Sequence, residues 1–155
     1  KVSFLLGYAL AFSIVASIQA VISTLFAIYA LDVSIDGGTG YAILAATMSA
    51  LLGTSLGLFT SAFAKTEFQA VQFMPAVIFP QILLSGLLVP RDKMAPALET
   101  VSDFLPLTYS TDLMHQVAIS SGWTADHSKD MIIIVCFVIG LLVLGAATIR
   151  RRERA

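Results

Sequence analysis

The sequence predicts an all-α integral membrane protein with four transmembrane helices and a re-entrant or interfacial helical hairpin on the outer side. Apolar residues make up 57% of the 155-residue chain and charged residues only 12%, about half the charged fraction of ordinary soluble domains. No Asp, Glu, Lys or Arg occurs in residues 2 to 31, 37 to 64, 68 to 90 and 131 to 149. A bilayer core takes about 20 helical residues, so each neutral run is long enough to cross it.

The first span is predicted for residues 2 to 31 and carries Gln19 near its middle. A lone amide there either bonds a neighbouring helix or lines a pathway, and both readings stay open. The second span, residues 41 to 64, has a small side chain at every fourth position, so that one stripe of the helix lacks bulk. The stripe consists of Ala45, Ser49, Gly53, Gly57 and Ser61. Small residues let another helix approach closely, so the stripe predicts tight helix packing.

The third span, residues 68 to 89, is irregular because five residues that break or end helices lie within it or directly after it. These residues are Pro75, Pro80, Ser85, Gly86 and Pro90. We expect a mostly continuous helix from residue 69 to about residue 79, followed by a short segment at 82 to 89 that dips back instead of completing a crossing. The polar exceptions in the apolar spans are candidates for lining a pathway. They are Gln19, Gln72 and Gln81.

The outer segment, residues 91 to 130, shows helical patterns of its own. Apolar residues recur at helical spacing up to Pro106, where the first helix must end. They are Met94, Leu98, Val101, Phe104 and Leu105. A second helix from Pro106 that includes Tyr109 would place Leu113, Met114 and Val117 on one face. Both helices are expected to lie in the interface, ahead of a fourth span at residues 131 to 149.

The positive charges predict the orientation of the spans. Arg150, Arg151, Arg152 and Arg154 follow the fourth span directly. Lys and Arg prefer the cytoplasmic side, so we expect a cytoplasmic C-terminus, an inner connector at residues 65 to 67 and an outer segment at 91 to 130. A net charge of -1 gives no basic surface for nucleic acid. Residues 1 to 155 read as one transmembrane domain, and Lys1 suggests that it is incomplete at the N-terminus.

No constellation in the chain predicts catalysis, and we expect no catalytic, cofactor-binding or metal-binding residue. Residues 32 to 37 match the start of a calcium loop, but Ile43 stands where the bidentate Glu should be. Asp112 and His115 are spaced to share a helix face, whereas His127 is expected in a loop, and no role is assigned to them. Because the neutral runs contain no charge to carry a coupling ion, an energy source outside the chain is favoured.

Three stretches around the third span carry a resemblance to a known family. They are Phe63-Ala64-Lys65-Thr66-Glu67-Phe68-Gln69-Ala70, Leu84-Ser85-Gly86-Leu87-Leu88-Val89-Pro90 and Phe104-Leu105-Pro106-Leu107-Thr108-Tyr109. In this order the stretches resemble the membrane subunit of ABC-2 type exporters, in particular drug-resistance permeases of the daunorubicin-exporter kind. The resemblance covers nearly the whole chain, and the Pro-Leu-Thr-Tyr element is its most specific part.

The resemblance implies the last four spans of a six-span permease half in a bacterial plasma membrane, with re-entrant helices at residues 82 to 118. Two such halves, identical or different, would pair around a path that exports a drug, a lipid or another amphipathic substrate. A separate ATP-binding cassette ATPase subunit would hold ATP and Mg²⁺, and Lys65, Thr66 and Glu67 form the inner connector that could contact it. A non-transporting membrane scaffold or assembly subunit is the alternative.

Overall fold

The computed structural model describes residues 2 to 64 and 66 to 152, and these ranges are helical with no strand. Six α-helices follow one another along the chain. They are α1 (Val2–Tyr29), α2 (Thr39–Phe63), α3 (Glu67–Leu84), α4 (Pro96–Ser102), α5 (Pro106–Ile119) and α6 (Ala125–Arg152). A single 3₁₀ turn at Arg91–Lys93 precedes α4. The predicted all-α class is therefore confirmed for the described ranges.

Within the described ranges, four helices are long and apolar enough to cross a membrane. The segments are Gly7–Tyr29, Thr39–Phe63, Glu67–Leu84 and Ala125–Thr148. The first two predicted spans agree closely with α1 and α2. The helix that contains the fourth span is α6, and it begins at Ala125, whereas the span was predicted from residue 131. Asp126, Lys129 and Asp130 therefore belong to the same helix as the span. Charge is therefore not excluded from the ends of the long helices.

The centre of the molecule is α2, which contacts α1, α3, α5 and α6. The buried core joins α2 to α5 and α6. It consists of Ala42, Ala45, Leu52, Leu56, Leu113, Val117 and Ile134. Leu113 and Val117 are 0% and 1% exposed, which confirms the predicted apolar face of α5. Alanine at positions 42 and 45 leaves room for that face, so a short helix packs directly against a long one.

The third long helix differs from the expectation. α3 runs without interruption through Pro75 and Pro80 to Leu84, so the expected end of the helix near residue 79 is wrong, and only residues 85 to 89 of the predicted short segment are outside the helix. Each proline removes only one backbone donor, and the flanking turns keep the helix intact. The chain turns instead at Gly86, whose φ of 89° is one that glycine adopts without a steric penalty.

The short helix α4 turns its apolar side outward. Leu98 and Val101 are both about half exposed, whereas Ser102 on the other face is fully buried. The Ser102 hydroxyl donates to the Glu99 carbonyl at 2.7 Å and accepts from Arg91 Nε at 3.0 Å. An amphipathic helix with its apolar face directed away from the rest of the chain is the arrangement that the predicted interfacial position requires.

Candidate functional site

Three adjoining cavities follow α2 along most of its length. The largest, of about 670 Å³, lies between α1, α2 and the end of α5. A second cavity of about 430 Å³ shares Ser49, Met114 and Ala118 with the largest one. A third, of about 340 Å³, shares Ala16, Gln19 and Thr54 with it and reaches Met74 of α3. We call these three connected cavities the lane.

The small-residue stripe of α2 forms one wall of the lane. Ser49 and Gly53 line the largest cavity, and Gly57 and Ser61 line the third, whereas Ala45 is buried in the core. A Cβ atom added at Gly53 would meet nothing within 4 Å, and one added at Gly57 would meet only the end of the Met74 side chain, at 3.4 Å. Inside the described chain the stripe therefore leaves open space at Gly53, and the tight helix packing that its spacing predicts stays a prediction.

The three glutamines do not share one environment. Gln19 lines both the largest and the third cavity, as expected for a pathway residue. Gln72 is exposed on α3 and lines none of the three cavities. Gln81 is 4% exposed and donates from Nε2 to the Val77 carbonyl at 3.1 Å, and it also lies outside the lane. Only Gln19 is therefore brought together with the stripe.

The lane lacks strongly charged groups in the part of the chain that the structure describes. No Asp, Glu, Lys or Arg of that part lines any of the three cavities, and their polar groups are mainly hydroxyls together with Gln19 and His115. One of these hydroxyls joins two helices, because Ser110 Oγ donates to Ser49 Oγ at 2.6 Å while Ser49 donates to the Ala45 carbonyl. A neutral wall offers no counter-charge, so a fully desolvated ion is strongly disfavoured there.

One end of the molecule is covered by residues 32 to 38 and 85 to 130, which we call the polar layer. Arg91 is the most connected side chain of this layer, a role that the sequence did not reveal. Its Nη1 donates to Asp112 Oδ2 at 3.1 Å, its Nη2 pairs with Asp103, and its Nε donates to Ser102. Asp103 and Asp112 are 12 and 21 residues away in sequence, so no local pattern could have identified the cluster.

The same contacts decide the roles of Asp112 and His115. Asp112, which is spaced to share a helix face with His115, forms its ion pair with Arg91. His115 lines the second cavity. Tyr109 lies in α5, the second outer helix, and donates from its hydroxyl to the Asp103 carbonyl at 2.7 Å. Pro106 occupies the first turn of α5, where the missing backbone donor costs nothing.

Two more side chains are placed differently from the expectation. His127 is 1% exposed within the first turn of α6, so its predicted loop position is wrong. Its Nδ1 accepts from the Thr124 backbone N–H at 3.1 Å, and its ring packs on Trp123. Asp130 is 5% exposed and accepts from Gln116 Nε2 at 2.8 Å. The sequence did not reveal that Asp130 is a buried acid of α6, because the neutral run that predicted the fourth span begins one residue later, at residue 131.

The segment that resembles the start of a calcium loop has a backbone role. Asp36 N–H donates to the Ala118 carbonyl at 3.1 Å, and Gly37 N–H donates to the Val117 carbonyl at 3.0 Å. These bonds satisfy carbonyls at the C-terminal end of α5, which have no partner inside their own helix. Among the residues that the structure describes, no group of three His, Cys, Asp or Glu side chains could hold a metal ion.

The predicted inner connector lies at the opposite end of α2. Thr66 caps α3 by accepting from the Gln69 backbone N–H at 3.2 Å, and Thr66 and Glu67 are both exposed. Lys65 lies outside the described residues. The connector is therefore short and exposes at least two side chains that a partner could contact.

Four helices long and apolar enough to cross a membrane define a polytopic α-helical membrane protein. The model of the ABC-2 type transporter family matches residues 1–119, and the chain therefore belongs to that family. The family model describes the membrane domain of a transporter. This agrees with the resemblance of the three sequence stretches to ABC-2 permeases. The predicted re-entrant helices at residues 82 to 118 correspond in the structure to a turn followed by α4 and α5.

Curated relatives are distant in sequence. The chain is 25% identical to ABC transporter G family member 20 of Dictyostelium discoideum, over 88% of this chain and 19% of the relative. It is 26% identical to nodulation protein J of Rhizobium leguminosarum bv. viciae, over 72% of this chain and 43% of the relative. The chain thus spans less than half the length of these relatives. No solved structure matches the chain significantly.

Proposed function

We propose that the chain is part of the permease subunit of an ABC-2 type exporter and that the lane is its share of the translocation pathway. The observation that carries this proposal is that the three cavities adjoin along α2 and share lining residues. Among the described residues their walls hold hydroxyl, amide and imidazole groups but no Asp, Glu, Lys or Arg. Such walls suit an amphipathic drug or lipid, because apolar surface is buried there while a few polar groups are still satisfied.

The energy would come from a partner. We propose that a separate ATPase subunit, holding ATP with Mg²⁺, drives the transport, and the match of this chain to a membrane domain supports that division of roles. The exposed connector at Thr66 and Glu67, together with Lys65, is the proposed contact with that subunit. A second permease half, identical or different, would complete the path around the open side of the lane.

The proposed orientation follows from the charges. Arg150, Arg151 and Arg152 at the end of α6 belong on the cytoplasmic side of the plasma membrane. The connector between α2 and α3 then faces the ATPase subunit, and the polar layer lies outside. Export would carry the substrate from the third cavity, through the largest cavity, to the second cavity beneath the polar layer.

Gly53→Leu tests the pathway directly. Since a Cβ atom at Gly53 meets nothing within 4 Å, leucine should fit without disturbing the fold while filling the middle of the lane. In proteoliposomes that contain the full-length transporter and its ATPase subunit, we expect export of an anthracycline or a short-chain fluorescent phospholipid to fall about tenfold or more, with ATP hydrolysis retained. The variant Gly53→Leu/Gly57→Leu should uncouple the two activities further.

Gly140→Leu is the matched control, because a Cβ atom at Gly140 of α6 also meets nothing within 4 Å and Gly140 lines none of the three cavities. It should export at the wild-type rate. If a folded Gly53→Leu variant exports the probes at the wild-type rate, the proposal that the lane is part of the translocation pathway is wrong. Failure of the full-length protein to co-purify with an ATP-binding cassette subunit would favour the scaffold instead.

A further inference from the structure

The bend that follows α3 forms a wall of the second cavity. Gly86 and Leu87 line this cavity on one side, and Thr111 and His115 of α5 line it on the other. Residues 85 to 89 form no helix, so no backbone ladder of their own fixes this wall. Its position must depend on contacts made at its two ends.

Arg91 supplies those contacts at the far end of the bend. Its aliphatic part lies against Gly86, since a Cβ atom added there would meet Arg91 Cγ at 3.2 Å. Its guanidinium reaches Asp112, which directly follows the cavity-lining Thr111. One side chain therefore holds both walls of the second cavity at once, through packing on one side and an ion pair on the other.

We infer that the contact of Arg91 with Asp112 and Asp103, the clasp, is a releasable lock that holds the two walls of the second cavity at a fixed spacing and so limits access to it from the polar layer. The inference rests on the proposed function, because it makes this cavity the exit of the lane. Both carboxylates are partly exposed, at 55% for Asp103 and 34% for Asp112. Water can therefore solvate the separated charges, so the clasp can open without leaving a buried, unpaired ion.

The geometry explains why arginine is used. Its planar guanidinium donates in three directions, to Ser102 of α4, to Asp103 beyond α4 and to Asp112 of α5. A lysine ammonium is a compact charge on a flexible stem and cannot span these three acceptors in the same fixed geometry. Releasing Arg91 thus frees the bend from both short helices together.

Access to the second cavity tests the clasp. Met114 lines the largest and second cavities. The substitution Met114→Cys is introduced into a full-length transporter from which Cys136 and any other cysteine have been removed. The complex with its ATPase subunit is held in nanodiscs, which leave both membrane faces open to a charged maleimide. We expect Arg91→Gln to raise the labelling rate about tenfold, since losing charge-assisted bonds shifts a two-state equilibrium by about that factor.

Further variants separate a lock from general loosening. Asp112→Asn should raise the rate less, and Arg91→Gln/Asp112→Asn should label no faster than Arg91→Gln, because both changes remove one contact. Vanadate trapping of the ATPase should speed labelling of the wild type but add nothing to Arg91→Gln. Lys93→Gln is the matched control, since Lys93 lies in the same 3₁₀ turn outside the clasp, and it should label at the wild-type rate.

The clasp is wrong if folded Arg91→Gln is labelled at the wild-type rate. If Arg91→Gln aggregates, labelling of Asp112→Asn at the wild-type rate shows the same. The labelling assay involves no transported substrate, so the two hypotheses fail separately. If labelling is unchanged while Gly53→Leu still blocks export, the clasp is wrong and the permease function stands. If labelling rises while no probe is exported, the clasp stands and the permease function fails.

Discussion

The polar layer and the long helices are held together by different kinds of contact. In the long helices several hydroxyls donate to the carbonyl four residues earlier in their own helix. These side chains are Ser17, Thr54, Ser55, Thr60 and Thr148. Ser49 does the same and also accepts from Ser110 of α5. In the polar layer, side chains of Arg91, Thr108, Tyr109 and Gln116 bond across from one element to another.

This difference has a mechanical consequence. Contacts between the long helices are mainly van der Waals contacts, each of them weak and without a strong directional preference. Contacts in the polar layer are directional and are either made or broken, which suits two discrete arrangements. We therefore expect the hydrogen bonds and ion pairs of the polar layer to change between two discrete arrangements. The three substitutions below test whether bonds across elements carry the stability of the polar layer.

The largest effect is expected at the contact between residues 36 to 37 and α5. A Cβ atom at Gly37 would lie 2.5 Å from the Val117 carbonyl oxygen and 3.1 Å from that of Ser120. Backbone cannot move aside cheaply, so Gly37→Ala should destabilise the protein by about 3 kcal/mol, at the upper end for a single substitution. Thermal unfolding in detergent measures this. Gly40→Ala, where a Cβ atom meets nothing within 4 Å, should leave the stability unchanged or raise it.

The second effect concerns the buried acid of α6. Gln116→Leu removes the bond from Gln116 Nε2 to the buried Asp130, and it should cost about 2 kcal/mol because the carboxyl group loses its partner. Gln116→Leu/Asp130→Leu should recover most of that loss, since replacing both partners removes the unpaired group. Strictly additive losses in unfolding experiments would show that the two side chains do not depend on each other.

The smallest effect compares two buried threonines with bonds of similar length. Thr108 donates to the Ser102 carbonyl of another helix at 2.7 Å, and Thr60 donates to the Leu56 carbonyl of its own helix at 2.6 Å. Thr108→Val should cost about 1 kcal/mol, because it breaks a bond between two elements. Thr60→Val should cost less than about 0.5 kcal/mol, since that carbonyl is already used by the helix. Equal unfolding temperatures for the two variants would contradict the distinction between the two regions.

Much of the secondary structure was predictable because its cause is local. Neutral runs predicted α1 and α2 almost to their ends, and the apolar face of α5 was predicted from its spacing. Predictions failed where a local signal was outweighed. Pro80 did not end α3, since neighbouring turns kept the helix intact, and His127 entered α6 because its ring nitrogen caps the Thr124 backbone.

The composition of the sequence determined that this is a polytopic helical protein, because lipid requires every backbone group in a span to be bonded locally. The ABC-2 family was indicated by the resemblance of three sequence stretches and is shown by the family match. Only the tertiary structure decided where Gln19 meets the small residues of α2, that Asp130 is buried, and that Arg91 joins two acids. Those contacts depend on how whole helices pack against one another. They join residues that are far apart in the chain, so no local sequence pattern predicts them.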